Sequence, residues 1–204
     1  MPEFYVGADY ASASGWLTGG GVHLISLKPR TSSVWNEKTY KVNERMTALS
    51  YEAHVKYTGR HFTFAAKSLL ASCLDHTALI GGYGISSIDP DNGEQEYTPF
   101  WHSTSWINFT CGTKWKGHFF AGYTKNLGTA DVLVSATVYG MGLDIDQVFS
   151  TNIAFSYNLP HWQIGMEYMP TTAWYGDTDK AFGKTVNTHS VTNHRILGLV
   201  MYYF

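Results

Sequence analysis

Between residues 48 and 58 the side chains alternate so strictly that only an extended strand can use the pattern. Leu49, Tyr51, Ala53, Val55 and Tyr57 fall on one face, and Ser50, Glu52, His54 and Lys56 on the other. Successive side chains of a strand point to opposite faces of the sheet, so this spacing separates an apolar face from a charged one. A tight turn at Gly59-Arg60 returns the chain into residues 61–70, where Phe62, Phe64 and Ala66 oppose His61, Thr63 and Lys67. A wall standing between lipid and water needs this arrangement. A soluble sandwich would alternate in the same way, but a small lipocalin-like barrel would have to bury the charged face.

The same period recurs along the chain. Strands are expected at residues 3–11, 19–27, 48–58, 61–70, 100–111, 117–125, 147–157, 162–168 and 191–204, about nine in all. Pro29 ends the second, because proline cannot donate to a ladder. The connections at 58–61, 113–117 and 158–161 are short, whereas those at 28–46, 72–99, 126–146 and 170–189 are long. Short and long connections alternate, as they do in outer-membrane barrels, with short periplasmic turns and long extracellular loops. Nothing requires a soluble meander to sort its loops by end. The fold class expected is all-β: a transmembrane antiparallel up-and-down β-barrel, or the C-terminal part of a larger one, forming a single domain over residues 1–204.

Composition narrows the partners. The 14 Lys and Arg against 16 Asp and Glu leave no basic surplus for a nucleic acid. Charged residues make up 15% of the chain, against roughly 25% in ordinary soluble domains, and aromatic residues make up 16%. That balance suits an outer face in contact with outer-membrane lipid and rims carrying aromatic girdles. No stretch approaches the ~18 consecutive apolar residues of a spanning helix. Residues 1–15 show neither a basic start nor an apolar run, so no export signal is expected there. With nine strands and a periplasmic C-terminus, the first strand would start on the extracellular side; the expectation is an incomplete barrel.

The last fourteen residues, VTNHRILGLVMYYF, place Ile196, Gly198, Val200, Tyr202 and Phe204 on one side of a strand. A chain stopping on Phe in this way resembles the closing strand of a bacterial outer-membrane barrel. The resemblance implies that Val200, Tyr202 and Phe204 form the signal read by the barrel-assembly machinery.

A family likeness is carried by several stretches: GADY (7–10), LIGGYG (79–84), FAGYTKNLGT (120–129), YGMGLDIDQVF (139–149), EYMPTTAWYG (167–176) and NTHSVTNHRILGLVMYYF (187–204). These resemble porins of Bacteroidetes outer membranes similar to the DcaP-type channels, mainly over residues 79–204. The resemblance implies a homotrimer of larger barrels that pass small anionic solutes by diffusion across the bacterial cell outer membrane. The glycine run at Gly19–Gly21 departs from that pattern.

On the alternation, Glu52, His54, Lys56, His61, Lys67, Glu167 and Arg195 share the inward face and are the candidate pore-lining residues. Opposed acidic and basic groups in a water-filled lumen choose among ions. Arg195 and Lys67 are the expected anion contacts, and the connection at 72–99 is the expected constriction. The nine His show no ligand spacing, so no metal is expected. Asp89, Asp91 and Gly93 read as a turn, and Asp144 and Asp146 as lining the mouth. His102, Ser103 and Ser105 lack the surroundings of a nucleophile, so no enzyme and no cofactor are implied. Asn108-Phe-Thr110 matches a glycosylation acceptor but sits mid-strand. Cys73 and Cys111 are expected at opposite ends of the wall, roughly 25 Å apart, far beyond the ~7 Å disulfide limit, and therefore free. The functional expectation is a porin for small anionic solutes. The alternatives are a poreless outer-membrane barrel serving as adhesin or structural anchor through its loops, and a soluble β-barrel carrier.

Overall fold

A computed structural model describes residues 3–77 and 79–204; Met1, Pro2 and Ala78, which fall within the leader and long-connection readings above, lie outside the described residues. In chain order the strands are β1 (Phe4–Ala11), β2 (Trp16–Leu27), β3 (Ser32–Trp35), β4 (Lys38–Lys41), β5 (Met46–Thr58) and β6 (Phe62–Ser72). They continue as β7 (Gly81–Ile88), β8 (Gln95–Gly112), β9 (Trp115–Thr129), β10 (Val138–Met141), β11 (Ile145–Asn158), β12 (Trp162–Thr178) and β13 (Thr185–Tyr202). The chain is all-β and antiparallel, with one short 3-10 turn at Asp75–Thr77. Nine strands form the main sheet in up-and-down order, β1-β2-β5-β6-β8-β9-β11-β12-β13. The sheet is not closed: β1 and β13 are its two edges and do not pair with each other. Both edges run from the long-connection end to the short-turn end.

Register keeps the two faces apart. Tyr51, Leu70 and Ser103 share one row, and Val55, Ala66, Ile107 and Ala121 another, all on the apolar face. At the short-turn end that face carries a belt of rings. Trp16 lies 4.7 Å from Tyr57, Tyr57 5.4 Å from Phe62, and Phe62 5.7 Å from Phe109. Trp115 stands 4.4 Å from Tyr157, and Trp162 4.8 Å from Tyr202, which Phe204 meets edge-on at 5.1 Å. Trp16–Tyr57, Trp115–Tyr157 and Trp162–Tyr202 are direct cross-strand partners, the geometry in which aromatic pairs stabilise a sheet.

Buried residues collect at the opposite end. Ile25, Met46, Ala48 and Cys73 form a core joined by Leu27, Tyr83 and Tyr97, and Ala71, Phe100, Ile85 and Leu133 are buried near it. Sequence reading leaves residues 31–45 and 72–99 as open connections, whereas here they fold into this cap. β3 and β4 form a hairpin whose two turn residues, Asn36 and Glu37, both have positive φ. That is the conformation of a two-residue primed turn, usually signalled by Asn-Gly rather than Asn-Glu. Trp35 Nε1 donates to the Pro90 carbonyl at 2.7 Å, and Glu94 accepts from the backbone N–H groups of Asn43 and Glu44. β10 pairs with β7, so residues 126–146 also contribute a strand to the cap.

The largest difference lies in the last connection. Residues 170–189 read as a loop. Instead β12 continues to Thr178 and β13 starts at Thr185. Pro170 faces His194 of β13, and pairing is missing only toward β11, at Met169 and Pro170. The Thr, Trp and Tyr residues that follow are strand formers, and they outweigh the pairing lost toward β11.

Both cysteines are free, Cys73 buried in the cap and Cys111 exposed near the short turns. Burial first, then the Asp75 carboxylate, pushes the Cys73 thiol up to about 12. Only the thiolate attacks a maleimide. At pH 8 a small maleimide is therefore expected to modify Cys111 alone, with Cys73 reacting after denaturation. Rapid modification of both in folded protein would mean that the cap is not packed.

Candidate functional site

The charged face holds two groups of polar side chains. The first spans β1, β2, β5 and β6, and is built on missing side chains. Gly7, Gly21 and Glu52 occupy one row, and Asp9, Gly19, His54 and Lys67 the next. With no side chain on β2 at these points, residues of β1 reach across it to β5. Tyr5 lays its ring over Gly7 and Gly21, and its hydroxyl donates to Glu52. Asp9 crosses Gly19 to reach His54, Oδ1 lying 3.2 Å from Nε2. Lys67 forms an ion pair with Glu52, and His54 Nδ1 lies 3.9 Å from the same carboxylate. The glycine run is thus the floor of a network of two acids, a lysine, a histidine and a tyrosine.

Space, rather than backbone conformation, decides Gly21: a Cβ there would run into the Tyr5 ring. Gly21→Val is expected to displace Tyr5 and expose Glu52, lowering stability by about 1–3 kcal/mol. Chemical denaturation of detergent-folded protein reads this, and an unchanged midpoint would show that Tyr5 is not held there.

The second group lies on β8, β9, β11, β12 and β13. Arg195 Nη2 donates to Glu167 Oε1 at 3.3 Å. Thr110 and His118 are hydrogen-bonded at 3.2 Å. A cavity of about 400 Å³ runs across these five strands, with Phe120, Glu167 and Leu199 among its walls.

The proposed inward residues fall out as follows. Glu52, His54 and Lys67 meet in the first network, and Glu167 and Arg195 pair in the second. Lys56 is on the same face, opposite Leu17 and Ala65, and exposed. His61 sits in the turn before β6 rather than on the wall, where its carbonyl accepts from Gly112. Val200 and Tyr202 oppose Ile164 and Trp162 on the apolar face, with Phe204 just beyond β13. Sequence reading treats Lys67 and Arg195 as open cations, whereas each has a carboxylate against it. It also misses Tyr5 and Asp9, although glycines at 7, 19 and 21, alternating on one face, signal a space that large neighbours fill.

Other candidates disperse. Ser103 faces away from His102, which is buried with both ring nitrogens unpartnered. Asp146 forms an ion pair with Lys125 at 2.7 Å. Asp89 Oδ1 accepts from the Asp91 N–H, closing a turn. Among the described residues no group of three or more His, Cys, Asp or Glu gathers into a metal-holding cluster.

Charge is sorted by end. The short turns and the strand ends beside them hold Lys56, Arg60, Lys114 and Lys116 against Asp9, which faces His54, whereas the cap carries most of the acids. Comparisons with protein-family models, with curated proteins and with solved structures find no match.

Proposed function

We propose that this chain forms the wall of an outer-membrane β-barrel through which small anionic solutes pass by diffusion. The observation that carries the reading is the apolar face with its aromatic belt at the short-turn end. Lipid contact accounts for so many exposed rings and aliphatic side chains. An open sheet edge is not tolerated in hydrocarbon, so the barrel in the membrane includes at least one strand running opposite to β1 and β13. The basic collar of Lys56, Arg60, Lys114 and Lys116 favours anions at the periplasmic mouth, because unpaired charge around an opening raises the local concentration of counter-ions. Assembly as a homotrimer, and recognition of Val200, Tyr202 and Phe204 by the barrel-assembly machinery, belong to the same proposal.

One feature favours a second reading. The core of Ile25, Met46, Ala48 and Cys73 lies on the charged-face side of β2 and β5, across the expected path. A permanently closed cap would make the protein a poreless anchor or adhesin. Planar-bilayer conductance of the refolded chain separates the readings. Uniform current steps with anion preference support the channel. Silence from folded, inserted protein supports the anchor, and protein that stays soluble without detergent overturns both.

A further inference from the structure

The register places Asn108, Phe120 and Asn152 side by side on the charged face. Asn108 opposes Phe120 in the β8–β9 ladder, and Phe120 opposes Asn152 in the β9–β11 ladder. Neighbouring strands stand about 4.8 Å apart, so the two carboxamides flank the base of Phe120, whose ring leans along β9 over Gly122. Two residues along β8, Trp106 adds a second ring, 6.3 Å from Phe120 with their planes at 34°. In the adjoining rows the polar groups satisfy one another: Thr104 with Thr124, Thr110 with His118, and Ser150 with Thr171. Asn108 and Asn152 have no side-chain partner among the described residues. Both line the 400 Å³ cavity, whose far side is Leu197 and Leu199 of β13, with Glu167 and Gln163 of β12 beside them.

This arrangement discriminates among ligands. A carboxamide supplies two donors and an acceptor, so a flanking pair suits neighbouring hydroxyls that both give and receive. The phenyl face beside them, laid over Gly122, suits an apolar C–H surface. An anion could use only the donors, and the nearest ion pair, Glu167 with Arg195, leaves no net positive charge to hold it. A purely apolar ligand would leave both amides desolvated and unpaired. We propose that the cavity binds a neutral, hydroxyl-rich ring compound, a saccharide, with its C–H face on Phe120 and its hydroxyls on Asn108 and Asn152. The proposal rests on the reading of this face as the one that solutes meet. It is independent of the basic collar, which acts on charge at the mouth.

The test uses the full chain refolded in detergent, with maltotriose as the probe and triethylene glycol and succinate as comparisons. Saturation-transfer NMR is expected to show saturable transfer to the ring C–H protons of maltotriose and none to the comparison solutes. Asn108→Leu with Asn152→Leu keeps the volume but removes both donors and acceptors, and should weaken binding roughly tenfold. Phe120→Leu should weaken it comparably. Circular dichroism checks that each variant keeps its sheet. Absence of transfer to maltotriose from folded protein, equal affinity in the variants, or saturable succinate binding lost in them would overturn the proposal. Conductance measured on the same preparation keeps the two readings apart. Sugar binding without current leaves the site standing and removes the channel, whereas current without sugar binding removes the site alone.

Discussion

Replacing Lys67 and Arg195 together by Gln is expected to shift the reversal potential of the channel toward cations. Each substitution takes the cation off a carboxylate, leaving Glu52 and Glu167 unopposed on the charged face. In water a unit charge about 6 Å from a passing ion contributes roughly 0.7 kcal/mol. Two such charges favour a cation by about 1.4 kcal/mol and disfavour an anion by as much, so the cation-to-anion permeability ratio changes by up to about a hundredfold. Adding Glu52→Gln and Glu167→Gln restores the balance and should return the ratio to its starting value. The quadruple variant separates charge from damage, because it disturbs the wall more and the charge less. An unchanged reversal potential in the double variant would remove both ion pairs from selectivity.

The second large effect concerns the cap. Gly140 of β10 opposes Gly82 of β7, and both have φ values that other residues rarely adopt, +152 and +145. The backbones approach so closely that a Cβ on Gly82 would meet the Tyr139 carbonyl, and one on Gly140 the Gly81 carbonyl. Gly140→Val combines the clash with backbone strain, worth about 1–3 kcal/mol, and should release β10. The stacked pair Tyr83–Tyr139, with centroids 5.2 Å apart, would be lost with it. Expected results are protease cleavage within residues 130–145 and larger current steps. Resistance equal to the parent would mean that β10 does not hold the cap closed.

The wall was legible because its signal is local. The alternation at residues 48–58 assigns Glu52, His54 and Lys56 to one face whatever lies beside them, and cross-strand pairing preserves that assignment. The cap was not legible, because its strands are short and depend on partners distant in sequence. β10 has four residues and exists through β7, more than fifty positions earlier. The extension of β12 through residues 170–178 was not legible either, because Pro170 interrupts the pairing toward β11 while the ladder to β13 runs on. For the site, parity put Lys67 and Glu52 on the same face, but their pairing needs the diagonal between β5 and β6. The link to Tyr5 needs the bare glycines of β2, which are visible only once β1, β2 and β5 are aligned.

Sorting the buried apolar residues to one end also divides the thermodynamics of the molecule. Exposure of apolar surface to water sets the heat-capacity increment of unfolding and its denaturant slope. Both quantities should therefore report on the cap, while melting of the wall follows the surrounding amphiphile. A detergent of longer chain would then raise one calorimetric transition and leave the other where it was, so that a single chain behaves as two materials joined along β5 and β8.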